Sequence, residues 1–447
     1  MSNASLQLDN TRVLVVGCGA TGVSAACFAA RHGAMVRVID SRATPPRAAE
    51  LRRRCPQAEL LVGGLPLSAL ASVDQLLVSP GIDLREPLLQ TARQRGLPMC
   101  GDIEWFARRA QAPVVAITGS NGKSTVTAWL AEIAEAAGAS VAVGGNFGTP
   151  ALDLLAPEVS LYVLELSSFQ LALTEQLDCV AATVLNISPD HIDRHGDLAS
   201  YASAKARIFK AAETAIVNAD DAVVAAMDTG AARVVRFGTT AQCDYALTRD
   251  SAKHDWLARG PERWLACSRL QLRGRHNHCN ALAAWALAEA AGLDAASIET
   301  GLCRFSGLPH RCQWVARIAG VDWINDSKGT NPGALLASLA GMEGPLILLA
   351  GGQGKGADFT PLAAAVPAKA RAVIVFGEDA AIIAAVLANR VAVHRVDNLV
   401  AAVALAAELA QVGDTVLLSP GCASLDQFAD YAQRGEAFMA AVQELAA

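Results

Sequence analysis

The sequence is poor in charge and has neither long hydrophobic runs nor paired cysteines. Charged residues make up only 18% of the 447 positions and hydrophobic residues 52%, so the chain is predicted to fold rather than to stay disordered. A net charge of −6 argues against a broad nucleic-acid-binding surface but leaves a local phosphate site open. No apolar run reaches the about 18 residues of a transmembrane helix. The nearest case, residues 399–412, contains Glu408 and predicts a buried helix.

The 11 cysteines include no C-x-x-C pair, and their odd number and irregular spacing are typical of reduced thiols in a cytosolic protein. The first residues, MSNASLQLDN, lack the basic start and apolar core of a secretory signal. We therefore expect a cytoplasmic protein without membrane insertion. Secreted, membrane, fibrous and all-β classes are disfavoured. At about 150 residues per domain, the length predicts about three domains.

Three successive segments alternate apolar strands with helices, which predicts an α/β fold of three domains. We expect a Rossmann-like N-terminal domain over residues 1–101, a central P-loop mononucleotide-binding domain with a parallel sheet over 102–307, and a Rossmann-like C-terminal domain over 308–447. The predicted strands lie at residues 13–16, 35–39, 114–117, 161–165, 182–186, 321–324, 346–350, 373–376, 391–394 and 415–418.

The strongest local signal is the string T-G-S-N-G-K-S-T, which lies between a predicted strand and a predicted helix. Backbone N–H groups of a glycine-rich turn can cradle phosphate oxygens. Lys123 can face the β/γ phosphates, and a hydroxyl of Ser124 or Thr125 can hold Mg²⁺. Only two residues separate Gly119 from Gly122, whereas the general P-loop has four. The flanking strand and helix nevertheless favour phosphate binding over a plain capped turn.

The turn G-C-G-A-T-G at residues 17–22 follows a predicted strand and opens a helix, and Asp40 follows the next strand. A βαβ unit with a G-x-G-x-x-G turn is typical of dinucleotide sites. A tight turn in a Rossmann-like domain that binds another ligand explains the pattern equally well. Asp40 could then hold a ribose hydroxyl or the edge of a base.

Polar residues also follow two buried strands of the central segment. Glu165 ends one strand, where a Mg²⁺ ligand is expected in a P-loop domain, although a solvated glutamate is the commoner case. The next strand is followed by N-I-S-P-D-H-I-D-R-H, in which His191 could bind metal, relay a proton or cap a turn. Lys205 by default is an exposed helix lysine.

Two further polar clusters stand out. The string R-H-N-H-C-N at residues 275–280 has no second ligand pair at the spacing of a structural zinc site, so zinc is not expected there. The string N-D-S-K-G-T-N at residues 325–331 follows an apolar strand and predicts a ligand-binding edge in the third domain.

Together these strings resemble the Mur ligases, the ATP-dependent amide-forming enzymes of peptidoglycan precursor synthesis. The resemblance covers essentially the whole chain, and the short P-loop spacing is the family's own form. The pattern is most similar to the member that adds D-glutamate to UDP-N-acetylmuramoyl-L-alanine. Its strings here are the turn at 17–22 with Asp40, S-P-G-I at 79–82, G-G-N at 144–146, G-L-P-H-R at 307–311, G-K at 354–355 and S-P-G-C-A-S-L-D-Q-F at 419–428. Gly329, Pro332 and Tyr431 depart from the family's frequent residues without removing a charged group.

The resemblance implies a reaction. ATP would phosphorylate the substrate carboxylate to an acyl phosphate, and the glutamate amine would attack it with release of phosphate. The implied cofactors are ATP and two Mg²⁺ ions, for which Mn²⁺ could substitute, with Lys205 carbamylated. The implied partners are the two small-molecule substrates only, without nucleic acid, and the chain would act as a monomer.

The resemblance also implies residue roles. The catalytic residues would be Lys123, Glu165, His191, Lys205 and Lys328. The nucleotide-binding residues would be Gly119, Ser120, Asn121, Gly122, Lys123, Ser124, Thr125, Asn277, Asn280, Arg311 and Asp326. The metal ligands would be Thr125, Glu165, His191 and Lys205. The substrate-binding residues would be Ala20, Thr21, Asp40, Ser41, Arg42, Ser79, Gly81, Asn146, Ser167, Gln170, Ser327, Lys328, Thr330, Lys355, Ser424 and Tyr431.

Three alternatives stay open at this point. One is a related ligase of the same architecture, either a Mur-type ligase with another amino-acid or glutamate-stereoisomer specificity or an enzyme that acts on folate. The second is an NAD-dependent oxidoreductase, argued from residues 17–22 alone, which leaves the P-loop unexplained. The third is a catalytically inactive ATP-binding scaffold, against which the intact charged residues of the site argue.

Overall fold

The computed structural model describes residues 6–272, 274–342 and 344–445, and its strands form three separate sheets. The chain divides into two compact units. The first runs to Arg269 and also contains Asn280–Arg304, and the second contains Leu270–Cys279 and the chain from Phe305 onward. Each sheet lies within one of the three predicted domains, whose boundaries stay predictions. No helix among the described residues is long and apolar enough to cross a bilayer.

The first sheet has five parallel strands in the order β3-β2-β1-β4-β5. Its strands are β1 (Arg12–Val16), β2 (Met35–Asp40), β3 (Glu59–Val62), β4 (Gln75–Val78) and β5 (Met99–Cys100). Its helices are α1 (Ala20–Arg31), α2 (Ala48–Arg54), α3 (Pro87–Gln94) and α4 (Asp102–Ala107). The small residues of α1 let it pack closely on the sheet, and the strand order changes direction beside β1, where α/β folds bind ligands.

The second sheet has nine strands in the order β14-β13-β12-β11-β10-β9-β6-β8-β7. They are β6 (Val114–Thr118), β7 (Val141–Gly145), β8 (Leu161–Glu165), β9 (Cys179–Val184), β10 (Ala212–Asn218), β11 (Arg233–Gly238), β12 (Tyr245–Arg249), β13 (Asp255–Arg259) and β14 (Glu262–Ala266). Seven strands are parallel, and β13 and β14 extend the sheet as antiparallel strands. These hairpins were not predicted, because their short polar strands carry little apolar signal.

The helices of this segment are α5 (Lys123–Ala136), α6 (Ser168–Ala172), α7 (Ile192–His195), α8 (Leu198–Ala206), α9 (Ala222–Ala225), α10 (Arg275–Ala290) and α11 (Ala295–Arg304). A short 3₁₀ turn, Ala151–Leu154, follows β7. One apolar core joins the first sheet to the second, since buried side chains of β1, α1, α4 and β6 belong to a single cluster. The predicted strand at 182–186 is placed wrongly at both ends, because β9 starts earlier and Asn186 lies in the loop after it.

The third sheet has six strands in the order β15-β16-β20-β17-β18-β19, and only the edge strand β15 is antiparallel. Its strands are β15 (Gln313–Ile318), β16 (Val321–Asn325), β17 (Leu346–Gly351), β18 (Ala370–Phe376), β19 (Ala392–Arg395) and β20 (Thr415–Leu418). Its helices are α12 (Pro332–Gly341), α13 (Leu362–Ala365), α14 (Ala380–Leu387), α15 (Leu399–Leu409) and α16 (Tyr431–Glu444). The buried helix predicted at 399–412 is α15, which ends three residues earlier. Parallel strands covered on both faces explain the apolar runs in the sequence.

Candidate active site

The glycine-rich turn joins the carboxyl end of β6 to the N-terminus of α5. Gly122 caps α5 with a left-handed φ of 82°, a conformation that a side chain disfavours. A Cβ at this position would also lie 2.7 Å from Oδ1 of Asn280. The turn therefore leads directly into the N-terminus of α5, and a helix N-terminus is a position that favours phosphate.

Lys123 folds back over this turn. Its Nζ donates to the carbonyl oxygens of Gly119 at 2.8 Å and Ser120 at 2.9 Å. A lysine in this position places one positive charge beside the N-terminus of the helix. It can exchange these carbonyl contacts for the oxygens of a bound phosphate.

Glu165, the last residue of β8, is buried with 2% exposure. One carboxylate oxygen accepts a 2.5 Å hydrogen bond from the hydroxyl of Ser124, and the other accepts a 2.7 Å bond from the amide of Asn146. A buried carboxylate beside a P-loop hydroxyl is the oxygen pair that Mg²⁺ prefers. The hydroxyl in contact is that of Ser124, so the metal role expected of Thr125 stays a prediction.

Lys205 is not the exposed lysine that its position in α8 suggests, because it is only 2% exposed. Its Nζ donates to the carbonyl of Gly119 at 2.9 Å and to Oγ1 of Thr118 at 3.3 Å. Burial, together with the nearby charge of Lys123, lowers the pKa of Lys205 well below its ordinary value. An amine in this setting is more readily neutral, and a neutral amine is nucleophilic.

The loop after β9 packs directly on the glycine-rich turn. The side-chain amide of Asn186 accepts from the N–H of Asn121 at 2.8 Å and donates to its carbonyl at 3.0 Å. Ser188 and Ser120 exchange two further hydrogen bonds, at 2.9 and 3.1 Å. The polar residues predicted from two strand ends thus meet at one edge of the sheet.

His191 lies farther along this loop and caps α7 with a left-handed φ of 52°. Its side chain is 51% exposed and has Oδ2 of Asp190 at 3.7 Å. A strained and accessible histidine fits a ligand-binding role better than a packing role. Among the described ranges, no three His, Cys, Asp or Glu side chains gather closely enough to bind a metal by themselves. A metal ion at this site would therefore need further ligands, such as the hydroxyl of Ser124, a modified Lys205 or oxygens of the substrate.

The N-terminal turn is organised around Asp40, which is 1% exposed. Its carboxylate accepts from the backbone N–H of Cys18 at 2.8 Å and from the guanidinium of Arg42 at 2.8 and 2.7 Å. The hydrogen bonds from Arg42 lower the pKa of Asp40 to about 2. Ser79 donates to the carbonyl of Gly17 at 3.2 Å, so the loop after β4 supports the same turn.

In the second unit, Asp326 follows β16 and is buried. One oxygen accepts from the hydroxyls of Ser338 at 2.6 Å and Ser419 at 2.8 Å, and the other accepts from the N–H of Cys312 at 3.2 Å. Burial raises the pKa of Asp326. The carboxylate thus ties three segments together, and its predicted contact with a ribose stays a prediction.

Lys328 and Tyr431 are brought together, with Nζ 4.0 Å from the centre of the tyrosine ring. The hydroxyl of Ser327 donates to the carbonyl of Tyr431 at 2.7 Å. Lys355 has a left-handed φ of 53°, and Ser424 is buried. These predicted substrate residues follow strands of the third sheet or lie at the start of α16.

Arg434 is fully buried, although nothing in the local sequence pattern singles it out. It donates to the hydroxyl and the carbonyl of Ser327 at 3.0 and 2.8 Å and to the carbonyl of Cys422 at 3.1 Å. Within the described part of the chain, its Nη1 has no hydrogen-bond partner. Burial lowers its pKa to about 10. The available signal was its spacing of three from Tyr431, which places both on one face of α16.

Three family models match consecutive parts of the chain. The Mur ligase MurD-like N-terminal domain matches residues 11–101, the Mur ligase middle domain matches 117–288, and the Mur ligase glutamate ligase domain matches 310–422. The chain belongs to the Mur ligase family. The resemblance seen in the sequence is therefore confirmed.

Curated relatives agree with this family over nearly their whole length. The chain is 52% identical over 437 residues to a UDP-N-acetylmuramoylalanine–D-glutamate ligase of Nitrosococcus oceani, covering 97% of this chain and 96% of the relative. It is 48% identical over 445 residues to the enzyme of that name from Pseudomonas aeruginosa, covering 98% and 99%.

Solved Mur ligase structures share the fold. The UDP-N-acetylmuramate–alanine ligase of Thermotoga maritima matches with a TM-score of 0.61 at 20% identity, over 97% of this chain and all of that one. MurF of Acinetobacter baumannii matches with a TM-score of 0.62 at 20% identity, over 98% and 91%. The predicted three-domain α/β class is confirmed by these matches.

Proposed function

We propose that the chain is the ATP-dependent ligase that joins D-glutamate to UDP-N-acetylmuramoyl-L-alanine in peptidoglycan precursor synthesis. Mur ligases with this name match the whole chain at about half identity, which supports this reaction over another amino-acid specificity. The observation that carries the chemistry is the contact of buried Glu165 with Ser124, directly after the P-loop lysine. A carboxylate cannot acylate an amine unaided, since its leaving group would be oxide.

The first step is transfer of the γ-phosphoryl group of ATP to the substrate carboxylate. The carboxylate oxygen forms a bond to phosphorus as the bond to ADP breaks. The glycine-rich turn and the N–H groups at the start of α5 would hold the phosphates, and Lys123 would neutralise charge on the transferred group. In the second step, the amine of glutamate attacks the acyl carbon, and inorganic phosphate leaves with its bonding electrons.

The residues around Glu165 fit a magnesium ion. Its carboxylate accepts a hydrogen bond from the hydroxyl of Ser124, and both groups would serve as oxygen ligands of the ion. The ion would supply charge neutralisation at the phosphates. A second ion would be held by His191 and Lys205.

Lys205 would contribute to the second ion as a carbamate. Its buried position and lowered pKa favour the neutral amine, which adds to carbon dioxide and then loses a proton. The change converts a cation into an anionic oxygen ligand. This chemistry explains how a lysine can serve a metal site in which no cluster of three ordinary ligands is found among the described residues.

The remaining residues would hold the substrates. Ala20, Thr21 and Asp40 would face the uridine end, and Ser79, Gly81 and Asn146 the pyrophosphate and sugar. Lys328, Thr330, Lys355, Ser424 and Tyr431 would hold the transferred phosphate and the glutamate carboxylates. The chain would work as a monomer, which light scattering of the free protein tests.

Release of ADP and phosphate should require UDP-N-acetylmuramoyl-L-alanine and D-glutamate together. Lys123→Ala and Glu165→Ala should each lower the rate by about 10²-fold or more, because the first removes the positive charge at the phosphates and the second removes the carboxylate that would hold Mg²⁺ there. Glu158→Ala is the matched control, since Glu158 is exposed. Near-normal phosphate release by either site variant would contradict the proposed mechanism.

A further inference from the structure

Arg194 of α7 reaches the loop that follows β4. Its Nη1 donates to the carbonyl of Gly81 at 3.2 Å and its Nη2 to the carbonyl of Ile82 at 2.8 Å. Its Nε lies 3.5 Å from Oδ2 of Asp83. One guanidinium thus holds three consecutive residues of the loop in which Ser79 and Gly81 are the proposed pyrophosphate residues.

The same guanidinium lies over the ring of Phe169, 4.7 Å from its centre. His191 packs against this ring in an edge-to-face arrangement with centroids 5.0 Å apart, and His195 stacks on it at 5.2 Å. Arg194 is also only three residues beyond His191, and both belong to the short helix α7 or its cap. A single aromatic ring therefore connects the guanidinium to the imidazole proposed to bind metal.

A second arginine links the same two segments, this time from the loop after β4 to α7. Arg85, in the loop after β4, donates to the carboxylate of Asp83 at 2.6 to 3.1 Å and to the carbonyl of Asp193 at 3.3 Å. The hydrogen bonds from Arg85 lower the pKa of Asp83 to about 2, and Arg194 contributes in the same direction. Asp83 therefore stays ionised at neutral pH, and the two loops stay linked by charge-assisted contacts.

These contacts can fix the orientation of peptide groups in the loop after β4 as well as its position. A peptide group is planar, so a hydrogen bond that fixes the carbonyls of Gly81 and Ile82 also fixes the direction of the N–H groups that follow them. A bound pyrophosphate would select one arrangement of this loop. In the structure Arg194 holds this loop, and Phe169 contacts both Arg194 and His191.

We propose that Arg194 is a positioning residue that couples binding of the UDP-linked substrate to binding of Mg²⁺ at the His191 site. The proposal rests on the proposed function, since it assumes the pyrophosphate role of the loop and the metal role of His191. Coupling between two binding sites is reciprocal, so Mg²⁺ should tighten the UDP-linked substrate by the same factor by which that substrate tightens Mg²⁺.

The test is calorimetric titration of the full-length protein with UDP-N-acetylmuramoyl-L-alanine at low and at saturating Mg²⁺, with ADP present. The wild type should bind more tightly with Mg²⁺. Arg194→Ala should weaken binding by about tenfold or more, since it removes several charge-assisted hydrogen bonds. It should also bring the ratio of the two dissociation constants close to one. Arg194→Lys, which retains the charge without the planar fork, should fall between them.

Arg54→Ala is the matched control. Arg54 of α2 also pairs with a carboxylate carried by the second sheet's segment, Asp153, at 3.0 Å, but away from the glycine-rich turn. Arg54→Ala should leave the ratio of the dissociation constants at low and at saturating Mg²⁺ at the wild-type value. An unchanged ratio in both Arg194 variants would overturn the proposal, as would an equal loss in Arg54→Ala or a wild type without coupling. If the wild-type protein shows no ligase activity, that result would instead count against the proposed function.

Discussion

Lys205 shows how strongly the position of one side chain can change its chemistry. The residue lies in an ordinary-looking helix, yet burial and the neighbouring Lys123 disfavour its charged form. A surface lysine would be protonated and inert towards carbon dioxide. The same side chain at the end of β6 is suited to become a metal ligand.

Lys205→Ala should abolish most of the ligase activity, and added acetate or another short carboxylate should restore part of it by replacing the carbamate. In the wild type, activity without added bicarbonate should fall as the pH drops through the lowered pKa of Lys205, because the protonated amine cannot react. Phosphate release over a pH series measures both effects. Lys210→Ala, which changes an exposed lysine, is the control. Failure of every small carboxylate to rescue Lys205→Ala would argue against the carbamate.

Asp102, at the start of α4, is a second buried residue with an altered charge equilibrium. Its Oδ2 accepts from the amide of Gln170 at 3.4 Å, and its Oδ1 has no partner in the described ranges. Burial raises the pKa of Asp102 to about 6. The folded state therefore binds this proton more tightly than the unfolded state, so the contribution of Asp102 to stability rises as the pH falls through about 6.

Asp102→Asn removes this titration, so its stability relative to the wild type should depend on pH. From pH 8 to pH 5, the wild type should gain about 1.4 kcal/mol of unfolding free energy that the variant does not gain. The difference between the thermal midpoints of the two proteins should shift accordingly in favour of the wild type. A difference that stays constant across this range would show that Asp102 ionises normally.

At the scale of elements, the turn from β1 to α1 depends on a close approach of backbone. A Cβ at Gly22 would lie 1.8 Å from the carbonyl oxygen of Gly17, whereas a Cβ at Gly19 would meet no atom within 4 Å. Gly22→Ala should therefore cost about 2 kcal/mol or more and lower the thermal midpoint by several degrees. Gly19→Ala should keep the wild-type midpoint, and similar midpoints for both variants would contradict this packing.

Element positions were most predictable where strands are buried on both faces. The strands at 161–165 and 415–418 were predicted with the bounds that β8 and β20 have. The hairpin of β13 and β14 was missed, since half-exposed edge strands depend on pairing with a neighbour. Asn186, assigned to a strand, instead lies in the loop that braces Asn121. The local apolar pattern does not record such long-range hydrogen bonds.

In the candidate site, the local sequence pattern likewise indicates some residues and not others. Residues at strand ends, such as Glu165 and Asp326, could be found because polar residues interrupt an apolar run there. Arg434 and Arg194 could not, because a single arginine in a helix is usually solvent-exposed. Their roles depend on which distant loops fold against them.

At the scale of the whole molecule, the net charge is −6, and the proposed anionic substrates would meet cations that are placed locally. In the first unit, Lys123 lies at the carboxyl end of β6 and Arg42 lies after β2. In the second unit, Lys328 and the buried Arg434 lie around Ser327. Each group is placed by a strand end or a helix of its own sheet, so the negative net charge does not conflict with the proposed function.

The most direct test of the central claim is an amino-acid panel with UDP-N-acetylmuramoyl-L-alanine, ATP and Mg²⁺, in which phosphate release and the mass of the product are measured. D-Glutamate should support release of one phosphate per amide bond formed, and L-glutamate and other amino acids should give only background rates. An equal or faster reaction with L-glutamate or another amino acid would contradict it.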